Sequence, residues 1–341
     1  MIFAAQQLQE KCQEMRDHLY TTFVDLTKAF DTVNRPGLWK VMQKFGCPKH
    51  FTHMVRQLHD GMKARVTEYG TVSEAFAVTN GVKQGCVLAP TLFSLMCPAM
   101  LTDACRDERP AIRIKYRTDG YLLNSMICTL NTTTEADMQR SMDLFAAGCA
   151  NFGPIINTEK TVVMHQPPPG TNPNALHTHV NGPVFKNVDN FVNLGSTLSR
   201  NTQIDDEVAR RISKASQASR DKAVVLTTLV YGAETWTVYA GQARKLNHFH
   251  ERIPNTEVLE RTGVISIQAM LGQIQLRWSG HVVRMDDRRL PKRQLYGNVA
   301  VGARGKGGQK RRYQDTLKNS LKRLQINTVN REDLAQDRSA W

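Results

Sequence analysis

Phe23-Val24-Asp25-Leu26-Thr27-Lys28-Ala29-Phe30-Asp31 is the stretch on which the fold turns. Tyr20 to Leu26 is rich in β-branched and aromatic residues, which predicts a buried strand. The strand then delivers a carboxylate, Asp25, to its tip. A charge placed at the end of a buried strand is costly unless a cation compensates it. A divalent ion of the Mg²⁺ type, which prefers carboxylate oxygens, is the natural compensation. A plainer role, capping the following helix, is open to the same residue.

A second stretch shifts the balance. Asn80-Gly81-Val82-Lys83-Gln84-Gly85-Cys86-Val87-Leu88-Ala89-Pro90 is a polar glycine loop running into an apolar helix. Glycines at 81 and 85 permit close backbone approach. Lys83 and Gln84 offer donors to a phosphate or a base edge. Alone such a loop says little; following the Asp25 strand in one layered domain, it points to a nucleotide site.

Working outward, apolar residues at near-helical spacing predict a helix over 2–18, and Pro36 opens a helix that Gly46 stops. Another helix is expected from His50 to His59. Val66 to Val78 alternates around Tyr69-Gly70, a hairpin signal. Pro90 starts a helix to about Cys105, and Thr132-Thr133-Thr134-Glu135 is a capping-box pattern before a helix to about Asn151. Ile155 to Met164 reads as a strand. The Pro-rich run 166–175 divides a first unit, 1–165, from 176–270 and a last unit, 271–341. Val180-Asn181-Gly182-Pro183 predicts a further hairpin, and Ile204 to Ser219 a helix. Interleaved strands and helices in the first half argue for an α+β class, followed by a mostly helical, basic C-terminal region.

The chain of 341 residues carries 45 basic and 31 acidic side chains, net +14. The excess is concentrated: residues 277–323 hold 14 basic and 3 acidic residues. Arg304, Lys306, Lys310, Arg311 and Arg312 flank a Gly-rich run there, ahead of Lys318, Lys322 and Arg323. Such a stripe suits phosphate contacts without sequence readout. Seven cysteines with no C-x-x-C pair exclude a disulfide framework and point to a reducing, intracellular compartment, cytoplasm or nucleus. No apolar run is long enough to span a bilayer, so no membrane partner is expected. Cys47, His50 and His53 lack a fourth ligand at useful spacing, and a structural role is the better reading. Trp236, Tyr239 and Trp278 could stack on bases, but core packing is the commoner use of such residues.

The Asp25 stretch and the glycine loop resemble the motifs lettered A and B in reverse transcriptases of non-LTR (LINE-type) retrotransposons. Phe152-Gly153-Pro154-Ile155-Ile156-Asn157-Thr158-Glu159-Lys160-Thr161 looks like motif D. Phe191-Val192-Asn193-Leu194-Gly195-Ser196 is similar to the primer-grip motif E, with Asn193 where an aromatic is usual. The resemblance implies a right-hand polymerase with palm and fingers, here incomplete. It implies an RNA-directed DNA polymerase that uses Mg²⁺ (Mn²⁺ is a possible substitute), dNTPs, an RNA template and a DNA primer. Asp25 would bind the metals. Phe30 would gate the ribose 2′-OH, Lys83, Gln84 and Gly85 would meet nucleotide and template, and Lys160 would neutralise or protonate the leaving pyrophosphate. Two ions about 4 Å apart would drive in-line phosphoryl transfer.

The sequence departs from that pattern at one decisive place. Motif C, an aromatic-Ala-Asp-Asp hairpin between motifs B and D, is expected near Tyr121-Leu122-Leu123-Asn124-Ser125-Met126-Ile127-Cys128-Thr129-Leu130, which has no acid. The join between Ser125 and Asn131 reads as an internal deletion. Asp205-Asp206 belongs to a helix start, Asp286-Asp287 to local ion pairs, and Asp119 and Asp137 stand singly. The expectation is therefore a family member with impaired catalysis; the alternative is a non-enzymatic nucleic-acid-binding remnant of a retrotransposon.

Overall fold

The computed structural model describes the chain except residues 1, 105–110, 119–120, 129, 172–177, 181, 194, 219–221, 253–265, 300–311, 324, 328–330 and 339–341. It is a mixed α+β structure, as the interleaved pattern predicts.

The strand Leu19–Phe23 lies at the middle of a four-stranded sheet. Its neighbours are Val162–Gln166, antiparallel with Leu19 opposite Gln166 and Phe23 opposite Val162, and the two-residue strand Asn131–Thr132. Lys186–Asn187 adds a parallel edge beyond Val162–Gln166. Leu19, Tyr20, Thr21 and Thr22 are buried, which is why β-branched and aromatic residues fill this strand.

After Phe23 the chain leaves the sheet, passes through Asp25, and resumes pairing at Leu26–Thr27 with Ile155–Ile156. The single strand expected over Ile155–Met164 is therefore two short ones, Ile155–Ile156 and Val162–Gln166. The break has a local cause. The Asn157 side chain accepts from the amides of Glu159 and Lys160, at 3.2 and 3.1 Å, and this turn competes with the ladder.

Helix Glu135–Phe152 covers the sheet through Met138 and Met142, which pack with Tyr20 and Val163. Its N-cap is Thr134, whose hydroxyl accepts from the Asp137 amide at 3.1 Å, two residues later than the Thr132 box predicts. Helix Ala89–Ala104 and helix Arg35–Lys44 share the next core with Leu38, Met42, Leu92 and Met96. Asn34 caps the second of these, Pro36 occupies its first turn and Gly46 follows its end at φ +76°. The Tyr69-Gly70 hairpin forms as expected, with Thr67–Glu68 against Thr71–Val72 and Lys63–Ala64 against Phe76–Ala77. Tyr69 and Gly70 both take positive φ, +47° and +83°, the conformation that a two-residue hairpin turn demands.

Beyond the Pro-rich run, helices Asp205–Gln217, Lys222–Leu229, Ala240–Glu251 and Ile267–Arg284 enclose a core with Val208, Leu229, Trp236 and Leu246. Trp236 is thus a core residue. The N-terminal helix Ile2–Met15 docks on the last helices: Phe3 meets Trp278 and Tyr313 edge-on, at 5.6 and 5.1 Å between ring centroids. Lys11, buried beside it, donates to the carbonyls of Gln294 and Gly297. Burial pulls the Lys11 ammonium down to about 8.

Candidate active site

Asp25 sits at the gap between the two short ladders, and the Asn157–Thr161 turn lies directly across that gap. The Asp25 amide donates to Oγ1 of Thr161 at 3.2 Å, and its carbonyl accepts from the Asn157 amide at 2.9 Å. Thr161 is fully buried; Lys160, its neighbour, is exposed. Asp25 and the Lys160 turn therefore belong to one corner of the molecule. Asp25 is itself exposed. The burial argument for a compensating cation does not hold, because the strand ends at Phe23 and Asp25 lies beyond the covered part of the sheet.

The glycine loop is tied to the chain that follows Asp25. Val82 donates to the Phe30 carbonyl at 2.8 Å and Gly81 to that of Val33 at 2.8 Å. Gly81 adopts φ +81°, and a Cβ there would stand 2.6 Å from the Asp31 carbonyl oxygen. No other residue fits. Arg35, only 6% exposed, holds the loop from behind. It donates to the carbonyls of Gly81 (2.9 Å), Asn80 (3.2 Å), Val78 (2.8 Å) and His59 (2.8 Å). Lys83, Gln84 and Gly85 are left exposed at the head of helix Ala89–Ala104. Gly85 also has positive φ, +84°, but a Cβ there would meet nothing within 4 Å, so the space in front of it is open. Phe30 is half-buried, 5.0 Å from the Phe93 ring.

A chain that carries an aspartate stretch, a glutamine–glycine loop and a lysine turn, in this order, matches a known family. Residues 2–198 match the family model described as reverse transcriptase (RNA-dependent DNA polymerase). The chain belongs to the reverse transcriptase family. It is 27% identical over 225 residues to the RNA-directed DNA polymerase from mobile element jockey of Drosophila melanogaster, covering 64% of this chain and 23% of that protein. The jockey protein of Drosophila funebris is 26% identical over 227 residues, 61% of this chain and 24% of that one. The Pol polyprotein from retrotransposable element R2DM of Drosophila melanogaster is 33% identical over 82 residues, 24% of this chain and 8% of that one. The chain spans about a quarter of the length of the jockey proteins. These relatives make the non-LTR type of element the right comparison, as the motifs imply.

Reverse transcriptases depend in general on a divalent cation and act on a nucleic-acid template, a primer and dNTPs. Among the described residues, the donor set does not fit a two-ion site. The strand Asn131–Thr132 pairs with Tyr20 and Thr21, short of Asp25, and residues 121–132 contain no acid. The segment where motif C is expected does form a hairpin. It pairs Tyr121–Cys128 with Ala111–Thr118, in a separate sheet completed by Asn298–Val299. Among the described residues, no three His, Cys, Asp or Glu side chains come together as metal ligands.

Of the other acids considered, Asp119 lies outside the described residues, and four have local partners. Asp205 accepts from Gln242 at 2.7 Å and pairs with Lys245 at 2.9 Å. Asp287 pairs with Lys292 at 2.8 Å, and Asp286 accepts from the Arg288 amide. Asp137 lies in the first turn of its helix, against Thr134 and Arg140.

The primer-grip-like segment forms the hairpin Asn190–Asn193 and Ser196–Ser199. Phe191 stacks on Phe23 of the central strand with ring centroids 3.7 Å apart. Arg211 anchors the turn, donating to the Gly195 carbonyl at 2.7 Å and pairing with Glu207 at 2.8 Å, both side chains buried. Sequence reasoning missed Arg35 and Arg211, which belong to no quoted motif, and the structural role of Thr161, which stands at the end of the motif D stretch.

Of the basic candidates, Arg304, Lys306, Lys310 and Arg311 lie outside the described residues. Arg312 is half-buried and pairs with Glu14 at 3.0 Å and Asp315 at 3.5 Å. Its guanidinium ties the last helices to the first one. Lys318, Lys322 and Arg323 are exposed on helix Tyr313–Arg323, whose opposite face buries Leu317 and Leu321.

Proposed function

We propose that this chain is an RNA-directed DNA polymerase domain by descent that grips a primed RNA template but transfers nucleotides poorly. In this reading residues 1–165 are palm and fingers, 176–270 a primer-grip and thumb-like region, and 271–341 a basic accessory region. The order strand, helix, strand, helix, strand around Leu19–Phe23 suits a palm. Asp25 is its remaining motif A carboxylate, Gln84 and Gly85 face template and nucleotide, Phe30 stands behind the 2′-OH position, and Lys160 faces the pyrophosphate.

One observation carries the impairment. Two Mg²⁺ (or Mn²⁺) ions need several shared carboxylates, and residues 121–132, where the others are expected, contain no acid. Ion charge supplies several kcal/mol of transition-state stabilisation in such sites, so a single exposed aspartate leaves most of it unmade. Nucleic-acid binding does not need those ligands. It draws on Lys318, Lys322, Arg323 and the basic residues of 304–311.

Filter binding of a primed RNA template tests this. The expected result is binding that needs no divalent ion, falls steeply with salt, and is unchanged in Asp25→Ala. Binding that requires Mg²⁺ and is lost in Asp25→Ala would contradict the reading.

A further inference from the structure

A cavity of about 570 Å³ is lined in part by Arg35, which also holds the glycine loop. It opens between helix Arg35–Lys44, helix Lys49–Gln57 and the strand pair Lys63–Ala64 and Phe76–Ala77. Its size is within the ~300–1,000 Å³ usual for ligand pockets. Nothing in the polymerase reading uses it.

Its lining is chemically specific. Trp39 forms an aromatic wall, held edge-on by the His59 ring at 5.8 Å. His59 is 4% exposed, and its Nδ1 donates to the Val55 carbonyl at 2.8 Å. In the neutral ring this leaves Nε2 as an acceptor. Arg56 is engaged by Asp60 at 3.2 Å. Lys40 and Lys63 are exposed and have no ion pair among the described residues. An aromatic wall for a base, an acceptor for an exocyclic amine and two uncommitted ammonium groups for a phosphate together describe a nucleotide.

We infer that this cavity is a second nucleotide-binding site, which takes one unpaired nucleotide of a single-stranded RNA behind the glycine loop. Occupancy reaches the loop through Arg35, which lines the cavity and holds Gly81 and Asn80. The site needs neither a metal nor Asp25.

Photocrosslinking of the full chain to a short single-stranded RNA bearing thiouridine tests it, with the crosslinked peptides mapped by mass spectrometry. The expected result is a crosslinked peptide containing Trp39, whose yield falls about tenfold in the surface variant Lys40→Glu/Lys63→Glu. Crosslinks in the basic C-terminal region should stay unchanged. Circular dichroism checks that the variant is folded. Competition by excess uridine monophosphate would show that a free nucleotide suffices. Competition by unlabelled RNA alone would show that the strand is required, and either result supports the site. Absence of crosslinks within residues 35–79, or a yield indifferent to the double substitution, overturns it. Crosslinks confined to the C-terminal region would do so while leaving the proposed template binding intact.

Discussion

The Asp25 amide donates a hydrogen bond to Oγ1 of Thr161 at 3.2 Å, across the point where two short ladders break. This contact sets the aspartate of one motif against the lysine turn of another, 136 residues away in sequence. Thr161→Val keeps the shape and removes the acceptor. A loss of about 1 kcal/mol is expected, read as a lower urea midpoint with an unchanged slope.

Gly81 and Gly85 share a left-handed backbone but differ in surroundings. At Gly81 a methyl group would enter the Asp31 backbone; at Gly85 it would meet open space. Gly81→Ala should therefore cost about 3 kcal/mol or more, and Gly85→Ala only about 1 kcal/mol for its positive φ. Equal losses in denaturant melts would show that the loop is not pinned as described.

Arg35 satisfies four carbonyls from a buried position. Arg35→Met strands those acceptors and should destabilise by about 3 kcal/mol. Arg35→Lys should not rescue it, because one ammonium cannot reproduce a planar fork. Calorimetric Tm values for the two variants check this; a wild-type Tm in the lysine variant would contradict it.

His165 is fully buried, stacked on Tyr20 at 4.4 Å, with Nε2 2.9 Å from Nδ1 of His18. Burial first, then the charges of His18 and Arg200, push its imidazole down to about 4 from the ordinary 6.5; Glu135 opposes them weakly. Between those values the unfolded chain binds the proton and the folded chain does not. Stability present above pH 6.5 is therefore lost as pH falls toward about 4, by at most on the order of 3 kcal/mol. Urea titrations in that window should show the slope, and His165→Leu should flatten it.

Local signals made much of this fold legible. Tyr69-Gly70 announced its hairpin, and Pro36 and Gly46 bounded their helix. Long-range choices were not legible. Nothing in Phe3 tells that it will meet Trp278 and Tyr313, and nothing in Arg312 tells that Glu14 will claim it. The exposure of Asp25 was hidden because periodicity locates a strand better than its last covered residue. The break at Asn157 was hidden because one side chain outcompetes a ladder that the β-branched pattern favours.

The most direct measurement is primer extension on a poly(rA) template with oligo(dT), in Mg²⁺ and in Mn²⁺. Incorporation no greater than that of Asp25→Ala is expected in either metal. Robust extension by the native chain would contradict it, and loss of that extension in Asp25→Ala would show that this aspartate has metal-binding partners after all.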